Sequence, residues 1–260
     1  MLRERRLHRA KAVAHLRELA DRQVNYEPLP ESRSLPTRES CWSLDSLRHP
    51  IACEPAGDPQ QGGAWEIACR LVRDYQFADP AILRAIYSAD DTLLGRDMLL
   101  EGRFAGLRFD MGVRVTFVID ETRGCGGSES RVWGWSYQTL QGHLEQGELT
   151  YEVVKRLRTG AVEFCICGYS RRAPLANPLI HAGFAAFGRP TQQRFYRASA
   201  RQLQHLTHAE LQGAAPLAPK TLPGYDSVII APNTWANTSS AEAADQHALL
   251  GCGVPNSSVI

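Results

Sequence analysis

His143, Glu145 and Glu148 gather three ionisable side chains within a short stretch, and they are the tightest cluster of acid–base types in the chain. An imidazole beside a carboxylate is a pairing that moves protons, because the carboxylate orients the ring and raises its pKa. In a regular strand His143 and Glu145 share a face while Glu148 points away. A metal site from all three would need a bulge at Gly147 to turn Glu148 back. Without it two ligands remain, fewer than a catalytic zinc site supplies, so no metal is expected. The competing reading of His143 and Glu145 is a solvated pair beside a turn.

Just upstream, Trp133, Trp135 and Tyr137 occupy every second position of RVWGWSYQTLQ, with Gly134 and Ser136 between them. Such a strand carries one aromatic face, and that face needs a cover. The cover is either protein core or a bound apolar molecule, since aromatic-lined concavities with a few polar groups describe most small-molecule sites. Glu101 and Arg103 also share a strand face and are candidates to orient a ligand's polar group. Phe164, Phe184 and Phe187 are candidate walls. Cys165 and Cys167 suit a same-face pair of thiols, but no second cysteine pair with zinc-ligand spacing accompanies them. No nucleophile elbow, phosphate loop or dinucleotide fingerprint occurs, and no cofactor is expected.

The elements that must position these residues are marked by their punctuation. Residues 65 to 73, WEIACRLVR, alternate apolar and mixed positions and are expected to form a first strand. Asp79-Pro80 is expected to cap a short helix running to about Ser88. Strand-like runs follow at 97–104, 107–120, 131–141, 143–153 and 161–170, separated by glycine-bearing turns. Asn177-Pro178 then opens a helix that Gly188 can end, and Pro190 opens a second piece reaching 206. Strands followed by a terminal helix indicate an α+β domain, with a curved antiparallel sheet wrapped against that helix.

The ends differ from this middle. Residues 1–25 carry seven Lys or Arg against three acids and are read as a basic helical extension. Residues 26–63, rich in proline, are read as an irregular linker. Residues 64–208 form the domain, and 209–260 read as a low-complexity, disordered tail in which YDSVIIA could add an edge strand. A net charge of +1 gives no global drive toward nucleic acid. Seven cysteines without a framework, a charged start and no long apolar run favour a cytoplasmic protein with no integral membrane segment.

Three segments carry a resemblance: GRDMLLEGRF (95–104), RVWGWSYQTLQGHLEQGELTYEVVK (131–155) and NPLIHAGFAAFGRPTQQRFYRASARQL (177–203). Over roughly Trp65 to Leu206 the chain resembles a family of bacterial and plant proteins described as domain of unknown function nineteen-ninety. That family is similar to the helix-grip superfamily of steroidogenic-acute-regulatory-related lipid-transfer domains, polyketide cyclases and birch-pollen-allergen-like proteins. The resemblance implies a helix-grip fold, but it carries over no activity and no catalytic residue. Cys165 and Cys167 depart from it, standing where larger polar or basic residues are expected.

Three functions follow from these residues. The first is binding of an apolar or amphipathic small molecule between Trp133, Trp135, Tyr137, Phe184 and Phe187, oriented by Glu101, Arg103 or His143. The second is a cyclase, lyase or isomerase in the same cavity, with His143 and Glu145 moving protons. The third is a non-enzymatic module that engages an acidic partner through its basic head.

Overall fold

The computed structural model describes residues 9–27, 42–104, 107–126, 128–174 and 178–233, with the backbone alone for 104, 107 and 178–188. Among these, nine strands form a single antiparallel sheet: β1 (Ser43–Cys53), β2 (Leu83–Ser88), β3 (Asp97–Phe104), β4 (Leu107–Arg123), β5 (Ser130–Thr139), β6 (Glu145–Arg156), β7 (Ala161–Arg172), β8 (Lys220–Leu222) and β9 (Tyr225–Ala231). Their order is β1-β7-β6-β5-β4-β3-β2-β9-β8. The run β2 to β7 is a meander in which each strand pairs with the next, as short glycine-bearing turns dictate. Register shifts at Pro50/Ala52 and Val115/Phe117 mark bulges, which bend a sheet.

Helix α3 (Pro178–Leu211) lies on the concave face against β1 and α2 (Ala64–Arg73), and buries Phe195, Tyr196, Ala200 and Leu203. The result is the expected α+β architecture of a curved antiparallel sheet closed by a helix. Between them sits a dense aromatic core of Tyr75, Phe77, Trp135, Tyr137, Tyr151 and Phe164, with ring centroids 4.8 to 6.3 Å apart. Trp65 and Trp135 each donate their indole N–H to a main-chain carbonyl, of Val153 and Val72, at 3.3 Å. Gly134 allows β5 and β6 to meet here, because a Cβ on it would stand 2.1 Å from the Tyr151 carbonyl oxygen. No described helix is long and apolar enough to cross a membrane.

Several elements differ from expectation. Residues 65 to 73 form helix α2, not a strand. Trp65, Ile67, Cys69 and Leu71 do alternate, but Ala64, Ala68 and Val72 are also buried, so that Ala64, Ala68, Leu71 and Val72 make a helical stripe. The Glu54 carboxylate caps this helix, accepting the Trp65 N–H at 2.8 Å, and it is held by Lys155 at 2.6 Å. Asp79 does start a turn, its Oδ1 accepting the Ala81 N–H at 2.8 Å, but the turn does not propagate. Residues 83–88 instead become β2, whose ladders to β3 and β9 satisfy both edges. The two helical pieces expected after 177 are one helix with Pro190 inside it.

Ordered elements also lie outside residues 64–208. The linker of residues 26–63 contains β1, whose Ile51 enters the core. Pro50 obscured that strand in the sequence and fits it because β1 is a sheet edge. The basic extension contributes α1 (Arg9–Glu18), which packs Ala12, Val13, Leu16 and the following Leu19 against Ile86, Leu99 and Leu140 on the convex face. The tail supplies β8 and β9, so ordered structure continues past the terminal helix. Residues 28–41 and 234–260 lie outside the described residues.

Candidate functional site

A cleft opens where α3 crosses the ends of β1, β5, β6 and β7. It is a small cleft, open to solvent, and its lining includes Asp45, Tyr137, His143, Glu145, Gln192 and Tyr196. Strand alternation puts Asp45, Tyr137, Glu145, Leu149 and Ser170 on the concave face, beneath the helix. Register brings them together, since Asp45 pairs with Gly168, Gly168 with Leu149, and Leu149 with Tyr137.

The β5–β6 connection is braced from outside the meander. Asn25 donates its side-chain N–H to the Glu145 carbonyl at 2.9 Å and accepts the Thr139 hydroxyl at 2.7 Å. Thr139 Oγ1 in turn accepts the Gly147 N–H at 3.0 Å. Gly147 has φ +155° and its Cβ position lies 2.1 Å from the Tyr169 carbonyl oxygen, so a side chain there would force β6 and β7 apart. The β6–β7 register runs through Gly147 without a bulge. Glu148 accordingly keeps to the opposite face, where it accepts from Gln138 at 3.1 Å.

His143 is 7% exposed. Its Nδ1 stands 2.9 Å from the Glu145 main-chain nitrogen. That N–H can only donate, so Nδ1 is the acceptor and Nε2 carries the ring proton. Nε2 has no hydrogen-bond partner among the described residues. Burial pushes the imidazole down to about 4, so it is neutral at ordinary pH. His143 and Glu145 therefore meet through the main chain of Glu145 and not as the imidazole–carboxylate pair that the sequence suggested.

The Glu145 carboxylate is pushed up to about 7, by burial first and by nearby Asp45 second, with Arg189 pulling the other way. Asp45 is tied down. Its Oδ2 accepts Arg189 Nη1 at 2.7 Å and the Tyr196 hydroxyl at 3.4 Å. Arg189 also donates to the Leu44 carbonyl at 3.3 Å, fastening α3 to the edge strand. Burial raises the phenols of Tyr137 and Tyr196, which stay protonated donors. The cleft thus holds a fixed anion, a carboxyl able to gain or lose a proton near neutrality, a neutral imidazole and two phenols.

Of the residues singled out in the sequence, the structure brings His143, Glu145 and Tyr137 together. Trp135 is fully buried in the aromatic core, and Trp133 is half-buried against the same core outside the cleft lining. Phe164 stacks on Tyr151. Glu101 and Arg103 lie on the opposite face of the sheet, where buried Glu101 binds Arg103 at 3.1 Å and Arg108 at 3.0 Å. The side chains of Phe184 and Phe187 lie outside the described residues. Sequence reasoning missed Asp45, Arg189, Gln192 and Tyr196. The only available signal was the alternation of Asp45, Leu47, His49 and Ile51, interrupted by Pro50. Among the described residues no group of three His, Cys, Asp or Glu is placed to hold a metal ion.

The model of a protein family described as "Domain of unknown function (DUF1990)" matches residues 25–202, a span that begins at the bracing Asn25. No curated protein is significantly similar to the sequence. Among solved structures, major latex-like protein 151 from Panax ginseng superposes with a TM-score of 0.39 at 10% identity, covering 64% of this chain and 97% of that one. Ara h 8.0201 gives 0.37 at 7% identity, covering 64% and 99%. Hypothetical protein jhp0584 from Helicobacter pylori gives 0.38 at 11%, covering 70% and 99%. At these scores the fold assignment rests on the chain's own sheet and helix.

Proposed function

Because the chain belongs to the DUF1990 family, whose description carries no activity, we propose a function from the cleft itself: the protein binds a small amphipathic molecule between the sheet and α3. The observation that carries this reading is the polar pocket of Asp45, Glu145, His143 and Tyr196 set at the end of an otherwise aromatic interface. A ligand's polar end would lie among those groups and its apolar part against Tyr137 and Leu149, as in small-molecule sites generally. Of the two ligand classes expected, apolar or amphipathic, the wholly apolar one fits less well. The aromatic rings behind the cleft already contact one another, and the lining is rich in hydrogen-bonding groups. A cytoplasmic location belongs to the same reading and rests on the seven unframed cysteines.

One observation favours catalysis in the same place. A carboxyl held near 7 is suited to take and return a proton at neutral pH, which a cyclase, lyase or isomerase requires. In that reading Glu145 is the acid–base group, and His143 supplies a fixed Nε2–H donor.

Native mass spectrometry on protein purified without detergent tests the binding reading. A retained small molecule, lost when Tyr196→Trp fills the cleft, is the expected result. A molecule retained equally by a folded Tyr196→Trp variant would place it elsewhere, and turnover of the retained compound would favour the enzyme.

A further inference from the structure

We propose that the cleft takes an organic ammonium ion, its charge seated between the Glu145 carboxylate and the phenol rings of Tyr137 and Tyr196, with a hydrogen-bond acceptor on the same ligand meeting Nε2–H of His143. This rests on the reading of the cleft as a small-molecule site and names the chemistry of its occupant.

Charge is the first argument. The Asp45 and Glu145 carboxylates border the cleft, and no Lys or Arg is among the described residues that line it. The nearby cation, Arg189, is engaged by Asp45 through a hydrogen-bonded ion pair at 2.7 Å. Glu145 has no hydrogen-bond or ion-pair partner for its carboxylate among the described residues. A largely buried carboxylate without a counter-ion is costly in its charged form, and a ligand cation would remove that cost. The aromatic faces add a second attraction, because ring quadrupoles favour a cation placed over them.

The second argument is independent of charge. His143 is more than nine-tenths buried, lines the cleft, and carries its proton on Nε2, which has no partner among the described residues. A ring N–H that opens onto a cleft is a fixed donor to which a ligand's oxygen can bind. A ligand with an ammonium group and a nearby hydroxyl or ether oxygen would meet both requirements.

Cation binding also has a proton signature. The groups facing Glu145 are Asp45 from β1, Tyr137 from β5, His143 from the β5–β6 turn, and Arg189 and Tyr196 from α3. Glu145 itself is raised to about 7. An ammonium ion favours its ionised form, so binding releases a proton below that value and affinity rises between pH 6 and 8.

The test uses the unaltered protein and three amphiphiles of equal chain length: octylammonium, octan-1-ol and octanoate, titrated calorimetrically in buffers of different ionisation heat. Octylammonium is expected to bind at least about tenfold more tightly than octanol, with octanoate weakest, and to release protons near pH 6.5. Octanol or octanoate binding as tightly as the amine would overturn the cation assignment while leaving the small-molecule site intact. Binding of none of the three would overturn both. In a second arm, Glu145→Gln should bring the amine to the affinity of the alcohol; an unchanged amine affinity in a folded variant would overturn the seat proposed for the charge.

Discussion

His143 Nδ1 accepts the main-chain N–H of Glu145 at 2.9 Å, which fixes the turn between β5 and β6 and leaves the Glu145 side chain free to face Asp45 across the cleft. One residue thus serves the turn through its backbone and the site through its carboxyl. The two titrations that follow have opposite signs.

A carboxyl whose folded pKa is raised from 4.5 to about 7 binds its proton more tightly in the native state, so stability falls as pH rises through that window. Glu145→Gln removes the penalty. The variant is expected to match the parent near pH 4.5 and to be more stable by ~2 kcal/mol at pH 8, read by urea unfolding at the two pH values. Equal stability at both would show that Glu145 is ionised at little cost.

His143 behaves in the reverse sense. Its folded pKa is depressed from 6.5 to about 4, so the neutral ring favours the native state and stability is lost as pH falls through that range. His143→Leu should abolish this slope. It should also cost ~1–3 kcal/mol at neutral pH, because the Glu145 N–H loses its acceptor. Denaturation curves from pH 4 to 7 check both parts.

Trp135 separates core from cavity. It is fully buried, touches Tyr75, Tyr137 and Tyr151, and donates its indole N–H to Val72. Trp135→Ala is expected to cost ~3–5 kcal/mol of stability, the range for truncating a large core aromatic. A cost under ~1 kcal/mol, with ligand binding lost, would return the tryptophan to a pocket wall.

Lys155 is fully buried and its ammonium is held by Glu54 Oε2 at 2.6 Å and the Asp58 carbonyl at 2.8 Å. Removing either charged partner alone strands the other, so Lys155→Met is expected to cost ~3–5 kcal/mol. Adding Glu54→Gln to it should cost less than the sum of the single changes, as a double-mutant cycle of unfolding energies would reveal.

A fragment of residues 60–210, which looks self-sufficient by composition, is expected not to unfold cooperatively. It lacks β1, the partner of β7, and β9, which pairs with β2. A sharp thermal transition in that fragment would show that the central meander suffices.

The sequence by itself determined the α+β class, the strands from 97 to 170, the terminal helix and the aromatic face of β5, because these rest on local periodicity and turn chemistry that neighbouring residues carry. It also marked His143, Glu145 and Tyr137. Only the tertiary structure decided the identity of 65–73, where strand alternation and a helical stripe share the same residues and the Glu54 cap arrives from a distant segment. The same holds for 83–88, where two ladders outweighed a local helix start. The cleft was legible only in part. Asp45 and Arg189 are separated by most of the chain and meet because α3 folds back on an edge strand, and Glu101 with Arg103 proved to face away from the cleft because β3 turns that side toward α1. Side-chain period fixes which residues share a face, but which face becomes the inside is settled only when the helix packs against it.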